Sequence, residues 1–350
     1  MNEGRVSRLE VICSGGVGVS PRRHTTARRS GKAQSEGLSL TGASADGYAR
    51  QEDTRGFFIN MALEVPCAVD RPKTKKGKLL AFRDEEPIPK LTVEIAAQRY
   101  SKDKLEAAVI SLARECPYTL FVNDREILSI ATLPTHLKEL FVGFLVSEGV
   151  LLRPEEILEC AVDHAARLLR VELDVPEDRL EGMESKGMLT SGCAGGLIFS
   201  VEAAITRGQR FRKRLKVSGS TIIQRMKELD RHPGIYSVTR GVHSASLADA
   251  DQTLVILEDL GRHNAVDKIV GHCFLNHIET SDKLLLSTGR ITSEVLIKAA
   301  RGNFPIIISR SSASSVAIAM AKQQEIDVAT YVRAGRFNYF AHGGADLVEG

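Results

Sequence analysis

No run of about 18 apolar residues occurs in this chain, so no membrane-spanning helix is expected. The amino terminus lacks the apolar core of a secretory signal peptide. Charge of one sign does not dominate: 47 basic and 44 acidic residues leave a net +3. No general surface for a polyanion such as a nucleic acid follows, and basic residues matter only where they cluster. The six cysteines, Cys13, Cys67, Cys116, Cys160, Cys193 and Cys273, lack paired metal-ligand spacing. A chain of 350 residues has no need of disulfide staples, so reduced thiols in a cytoplasm are expected. Neither a P-loop nor a Gly-x-Gly-x-x-Gly fingerprint is present. No His-x-Glu is paired with Pro-Cys-x-x-Cys, which excludes the chemistry of the zinc deaminases.

Composition divides the chain. Met1–Arg55 is rich in Gly, Ser, Arg and Thr with no sustained apolar period, Lys73–Lys78 adds a charged run, and residues 1–88 read as a disordered extension. Their acidic residues, Glu3, Glu10 and Glu36 among them, argue against a transit peptide, and Met61 offers a later start. Residues 89–185 read as a small α+β domain. Tyr118–Val122 and Glu126–Ala131 flank Asn123-Asp124-Arg125 as a hairpin. Leu137, Leu140, Phe141, Phe144 and Leu145 then mark one face of a helix closed by Gly149. Leu168–Leu173 reads as a further strand, and the acidic stretch Asp174–Gly187 as a linker.

Residues 186–350 carry an α/β pattern. Leu284–Ser287, Pro305–Ser309 and Val328–Val332 read as buried strands, with helices through Val295–Ala300 and Ser315–Gln324 between them. That alternation predicts a parallel sheet covered on both faces, with ligands in the crevice beyond the carboxyl ends of its strands. Those ends read Thr288-Gly289-Arg290, Arg310-Ser311-Ser312 and Arg333-Ala334-Gly335-Arg336, the chemistry of an anion pocket.

Four segments bear candidate chemistry. Cys193 stands among Gly and Ala in Thr190–Gly196, just before a helical pattern (Ile198, Val201, Ala204, Ile205). An unshielded thiol at a helix start suits a nucleophile or a sulfur carrier; the same composition also suits a tight loop. Glu258–Lys268 places polar residues between a strand (Leu254–Leu257) and a helix (Ala265–Phe274). There Arg262 and His263 suit an anionic or nucleotide group, and helix capping is the plainer alternative. His243 follows an expected strand at Tyr236–Val238 and reads as a hydrogen-bonding residue. Phe337, Asn338, Tyr339, Phe340, Ala341 and His342, placed past the last strand, suit stacking on a base or a packed terminal segment.

These pieces, in this order, resemble the FdhD family, the formate dehydrogenase accessory sulfurtransferases. The resemblance spans roughly residues 90–342 and rests on Val122-Asn123-Asp124, Phe141–Gly149, the Cys193 loop, Gly241-Val242-His243, Glu258–Lys268, Thr288-Gly289-Arg290 and Arg333–Asn338. It implies a cytidine-deaminase-like three-layer α/β core without the deaminase zinc and with no metal of its own, preceded by the small α+β domain. It implies a cytoplasmic homodimer that takes persulfide sulfur from a cysteine desulfurase. The sulfur passes to the molybdenum centre of the bis(molybdopterin guanine dinucleotide) cofactor, a bound substrate destined for formate dehydrogenase. On matching positions Cys193 carries the persulfide and Phe337–His342 contact the cofactor. Arg262, Arg290, Arg333 and Arg336 then receive its phosphates, and His263 also binds the cofactor. Many members have Cys-x-x-Cys in the loop; here Gly196 stands at the second position, which leaves a single-cysteine relay. A non-catalytic protein that binds and inserts the cofactor is the alternative, and a nucleotide-processing hydrolase on the same fold is a third reading.

Overall fold

Alternate apolar positions build the first sheet, and continuous apolar runs build the second. A computed structural model describes residues 81–85, 89–181, 183, 188–189 and 215–349, all within a unit that extends from Val65 to Gly350. In chain order the first elements are β1 (Ala81–Glu85), β2 (Thr92–Ser101), β3 (Lys104–Ala113), β4 (Cys116–Val122) and β5 (Arg125–Thr132). α1 (Leu137–Ser147), β6 (Ile157–Asp163), β7 (Leu168–Leu173) and β8 (Met188–Leu189) follow.

β4 buries Cys116, Tyr118, Leu120 and Val122, every second residue, as a strand with one face on a core must. The β4–β5 turn is made by Asn123 and Asp124, both at positive φ (48° and 65°), which Asn and Asp tolerate. Asn123 then ties the turn to β7: Nδ2 donates to the Leu173 carbonyl at 3.1 Å and Oδ1 accepts from the Leu173 N–H at 2.8 Å. The sheet order is β1-β6-β7-β4-β5-β8. Leu180 and Met183, from the stretch expected to be a linker, are buried in the core. β2 and β3 form a separate two-stranded ribbon in register from Thr92↔Ala113 to Ser101↔Lys104, and most of it is exposed.

The second half runs β9 (Leu215–Ser218), α2 (Gly219–Asp230), α3 (Ile235–Thr239), β10 (His243–Ala248), β11 (Thr253–Asp259) and α4 (Arg262–Leu275). It continues with β12 (Leu284–Ser287), α5 (Ser293–Arg301), β13 (Ile306–Ser309), α6 (Ser315–Gln323), β14 (Asp327–Arg333), β15 (Arg336–Phe340) and β16 (Ala345–Val348). Strand order is β11-β10-β12-β13-β14-β15, with β12, β13 and β14 parallel and the outer pairings antiparallel. Every residue of β12 and β13 is buried, as strands covered on both faces require. Leu285 and Ile307 face the core shared with Ala265, Ile269, Leu296 and Ala317 of α4, α5 and α6. Leu284, Leu286, Ile306 and Ile308 face Ile222, Met226 and Leu229 of α2. Three layers result, helices on each side of a mixed sheet. Three sequence expectations are corrected here: Ala81–Glu85, within the extension read as disordered, is strand β1 paired with β6; Tyr236–Val238 belongs to the helix α3 rather than a strand; and Phe337–Phe340 lies within strand β15 rather than beyond the last strand.

α1 and α4 cross where two glycines meet. A Cβ on Gly143 would come 2.7 Å from the Asp267 carbonyl carbon, and one on Gly271 2.7 Å from that of Glu139. Around this crossing lie two buried cations. Lys268 Nζ is 2.6 Å from Asp259 Oδ2 and donates to the Glu258 carbonyl at 2.9 Å. Asp259 also accepts from the Thr132 hydroxyl, the Leu133 N–H (3.3 Å), the Gly261 N–H (3.2 Å) and Asn264 Nδ2 (2.8 Å). Lys298 Nζ contacts both Asp267 oxygens (2.9 and 2.8 Å), and Ser147 donates to Oδ1 at 2.7 Å. Asp259 thus binds the end of β5 to α4, and Asp267 binds α4 to α1 and α5. Among the described residues no helix is long and apolar enough to cross a membrane.

Removing one member of a buried pair strands the other charge. Lys268→Met should therefore lower unfolding free energy by about 3–5 kcal/mol in urea titrations. Asp259→Asn added to it should restore part of the loss. A loss below about 1 kcal/mol for Lys268→Met would show that the pair is not closed as described.

Candidate functional site

The parallel strands β12, β13 and β14 end at one edge of the second sheet, and β11 ends there too. β10 is antiparallel to β12 and so begins there. A cavity of about 520 Å³ opens at this edge. Its lining comes from α3 (Tyr236, Arg240), the start of β10 (Val242, His243), the end of β12 (Thr288), β13 (Arg310, Ser311) and β14 (Tyr331, Arg333). Leu260 and Gly241 complete it. This is the crevice expected for an open α/β sheet.

Two lining residues hold uncommon backbone conformations for side chains with a Cβ. Arg240 closes α3 at φ 54°, and Tyr331 lies at φ 55° within a break in the β14–β15 register between Thr330 and Arg333. The Tyr331 N–H donates to the Ser311 carbonyl at 2.9 Å, which fixes the break against the end of β13. Such conformations persist where surrounding structure over-determines them, and they concentrate at binding sites. Their effect here is to aim two guanidinium–tyrosine stacks at the cavity. Arg240 Cζ lies 5.0 Å from the Tyr236 ring centroid, and Arg333 Cζ 5.5 Å from that of Tyr331.

Electrostatics favour an anion. Among the charged lining residues Arg240, Arg310 and Arg333 are cations, and Arg310 is 3.2 Å from Asp230. Burial pushes the Asp230 carboxyl up while Arg310 pulls it down, so this carboxylate only partly offsets the three guanidiniums. His243 is held below the usual histidine range by burial, then by Arg262 and Arg290, and is neutral at pH 7. Its Nδ1 lies 3.4 Å from Thr288 Oγ1, which accepts from the Ser244 N–H at 3.0 Å.

The arginines expected to converge do so in part. Arg333 lines the cavity. Arg262 packs over Gly289, where a Cβ would come 2.6 Å from its own, and its Nε is buried without a hydrogen-bond partner among the described residues. Arg290 is exposed at the end of β12, and Arg336 is exposed opposite Arg333 across the β14–β15 turn. Both Arg262 and Arg290 are close enough to depress His243.

His263 points elsewhere. Its Nε2 lies 3.0 Å from Glu294 Oε2 and 3.3 Å from Thr292 Oγ1. Burial first, then Arg262, Lys298 and His243, push it down to about 3, so the neutral ring donates its Nε2–H to Glu294. In the terminal segment Tyr339 donates to Asp327, which also accepts from the His342 N–H at 2.6 Å, and the Phe337 ring borders Gly219. Phe340 packs against the core, and Asn338 and Ala341 are exposed. None of Phe337–His342 is among the cavity's lining. Tyr236, Arg240 and Tyr331 are the lining residues sequence reasoning missed; the i,i+4 spacing of Tyr236 and Arg240 is visible in the sequence but masked by the strand-like side chains between them. Cys193 lies outside the described residues. Cys116 and Cys273 are buried thiols pushed up by burial, Cys273 to about 12, and Cys160 is buried too.

A family model described as the FdhD/NarQ family matches residues 113–345. The chain belongs to this family. The protein named sulfur carrier protein FdhD in Bacillus subtilis (strain 168) is 34% identical over 253 residues, 72% of this chain and 97% of that protein. Its namesake in Staphylococcus aureus (strain MRSA252) is 34% identical over 247 residues, 70% of this chain and 92% of that protein. A crystal structure assigned as a formate dehydrogenase accessory protein from Desulfotalea psychrophila superposes with a TM-score of 0.59 at 27% identity. It covers 72% of this chain and 97% of that one. Within this FdhD/NarQ chain the run from Glu258 to Lys268 serves two ends. Asp259, Asn264, Asp267 and Lys268 are buried scaffold, and Arg262 borders the cavity's histidine.

The buried neutral His263 makes the fold acid-sensitive. Below about pH 6.5 the unfolded chain takes a proton that folded His263 refuses until about pH 3. Stability should therefore fall as pH drops through that window, by up to about 1.4 kcal/mol per pH unit from this group. Urea titrations at pH 7, 6 and 5 should show a shallower loss in His263→Gln; parallel pH profiles would contradict the assignment.

Proposed function

We propose that this protein is a sulfur carrier of formate dehydrogenase maturation. It accepts persulfide sulfur from a cysteine desulfurase on Cys193 and passes it to the molybdenum centre of bis(molybdopterin guanine dinucleotide). The observation that carries the reading is the cavity ringed by Arg240, Arg310 and Arg333, in a chain whose relatives are named sulfur carrier protein FdhD. Guanine dinucleotide phosphates are the anions that such a ring suits, and the two tyrosine rings offer apolar faces beside them. His243, neutral and half-buried, and Thr288 supply hydrogen-bonding groups between the cations.

The acceptance step is exchange chemistry. The Cys193 thiolate attacks the outer sulfur of the desulfurase persulfide; a new S–S bond forms on Cys193, and the desulfurase cysteine leaves as a thiolate. That demands an ionised, accessible thiol, which the buried Cys116, Cys160 and Cys273 do not offer. Leu189, the end of β8, pairs with Ile130 of β5 four residues before Cys193. Gly196 in place of a second loop cysteine is compatible with this step, because acceptance uses one thiol. The reading includes a cytoplasmic setting, formate dehydrogenase as client, and a homodimer. The β2–β3 ribbon supports the homodimer: Ile95, Leu105 and Val109 are exposed, and a lone two-stranded ribbon is marginal in water.

The alternative, a carrier that only binds and inserts the cofactor, uses the same cavity arginines and needs no thiol. The two readings differ over Cys193. After incubation with a desulfurase and cysteine, mass spectrometry should find one added sulfur atom on the Cys193 peptide, and none anywhere in Cys193→Ala. An unmodified Cys193 alongside normal formate dehydrogenase maturation would favour the pure carrier. In calorimetric titration of GDP, Arg240→Ala, Arg310→Ala and Arg333→Ala should each lose about 1.5–3 kcal/mol. Lysine at these positions should recover only part, lacking the guanidinium's fork. Equal affinity in all three alanine variants would remove the cavity from the account.

A further inference from the structure

We propose that Glu258 is a positioning residue for the cavity, holding the short helix α3 so that Tyr236 and Arg240 form one wall of the ligand site. The inference rests on the reading of that cavity as the site for nucleotide anions. α3 spans only five residues, Ile235–Thr239, and has no side-chain cap of its own at Gly234. A helix this short does not persist in water without tertiary support. Glu258, at the end of β11, supplies that support. It is 8% exposed, its Oε2 accepts from the Ile235 N–H at 2.6 Å, and its Oε1 accepts from the Tyr236 N–H at 3.1 Å. The Ser244 hydroxyl donates to the same Oε1 at 3.2 Å and fixes the carboxylate against β10.

The approach is close on the side of Gly234. A Cβ there would overlap the carboxylate, coming 2.7 Å from Glu258 Cδ, and would also come 2.7 Å from His232 Cδ2. At the other end of α3 the Arg240 N–H donates to the Tyr236 carbonyl at 2.9 Å, and the Arg240 guanidinium lies over the Tyr236 ring. Residues four apart meet only when the helical turn between them is formed. Release of the first turn therefore separates Arg240 from its ring and turns it away from the cavity. Glu258 acts through this wall and is not among the cavity's lining residues.

The test is calorimetric titration of GDP into wild type, Glu258→Gln, Gly234→Ala, Arg240→Ala and the double variant Glu258→Gln/Arg240→Ala. Glu258→Gln leaves one carboxamide oxygen for two N–H groups and should weaken GDP binding about tenfold or more. Gly234→Ala displaces the carboxylate from the opposite side and should reproduce that loss, which covers the case of a poorly folded Glu258→Gln protein. Because both changes remove one wall, the double variant should bind GDP within about twofold of Arg240→Ala alone. Losses that multiply in the double variant would assign Glu258 a general stabilising role and overturn the proposal. So would wild-type affinity in both Glu258→Gln and Gly234→Ala while Arg240→Ala binds weakly. A wild type that binds no GDP would overturn the cavity reading itself, and the inference with it.

Discussion

The buried contact between Asp259 and Lys268 is the constraint on which the remaining architecture depends. A carboxylate and an ammonium without water are costly unless every lone pair and proton is used. Here Asp259 accepts from the Thr132 hydroxyl, Leu133, Gly261 and Asn264, and Lys268 reaches two backbone carbonyls. Meeting these demands fixes the end of β5, the end of β11 and the start of α4 in a single relative placement. The gain is register rather than stability, since apolar residues of the same volume would serve a plain core as well. Glu258 precedes Asp259 on the same strand and so points to the opposite face of the sheet. One strand end thereby sets the seam between the two sheets on one side and a cavity wall on the other.

On the proposed reading, the cavity offers an anion guanidiniums that meet little counter-charge among the described residues. Lys268 and Lys298 are matched by Asp259 and Asp267. At the sheet edge Arg240 and Arg333 instead stack on tyrosines, which orients a guanidinium without neutralising it. Among the described residues Asp230 is the carboxylate paired with Arg310, and His243 stays neutral because burial, and then Arg262 and Arg290, disfavour its charged form. On the proposed reading an incoming dianion would meet guanidiniums already aimed by these stacks, and hydrogen bonds between ionised partners are the strong ones.

Much of this was legible in the sequence, for identifiable reasons. The runs at 284–287 and 306–309 are apolar at every position but the last and fall between helical periods, so parallel strands and the arginine-bearing ends followed directly. α3 was misread because Tyr236-Ser237-Val238 carries strand-like side chains and its cap, Glu258, is 22 residues downstream of Tyr236. No local window contains that partner. The polar run Glu258–Lys268 looks functional in bulk, yet six of its polar side chains are buried, since polarity alone does not reveal burial. The ribbon of β2 and β3 was unseen because its turn, Lys102-Asp103, takes positive φ without glycine or asparagine. Within the aromatic segment Phe337–His342, composition does not reveal that Asp327 holds the Tyr339 hydroxyl and the His342 amide.

The central claim is that the edge formed by α3 and the ends of β12, β13 and β14 is where the anionic ligand binds. Amide hydrogen exchange with and without saturating GDP reads this edge directly. The account predicts slower exchange in residues 235–243, 288–290, 310–312 and 331–333, which carry the cavity's lining. Protection confined to 337–342, or spread over the first sheet with that edge unchanged, would contradict it.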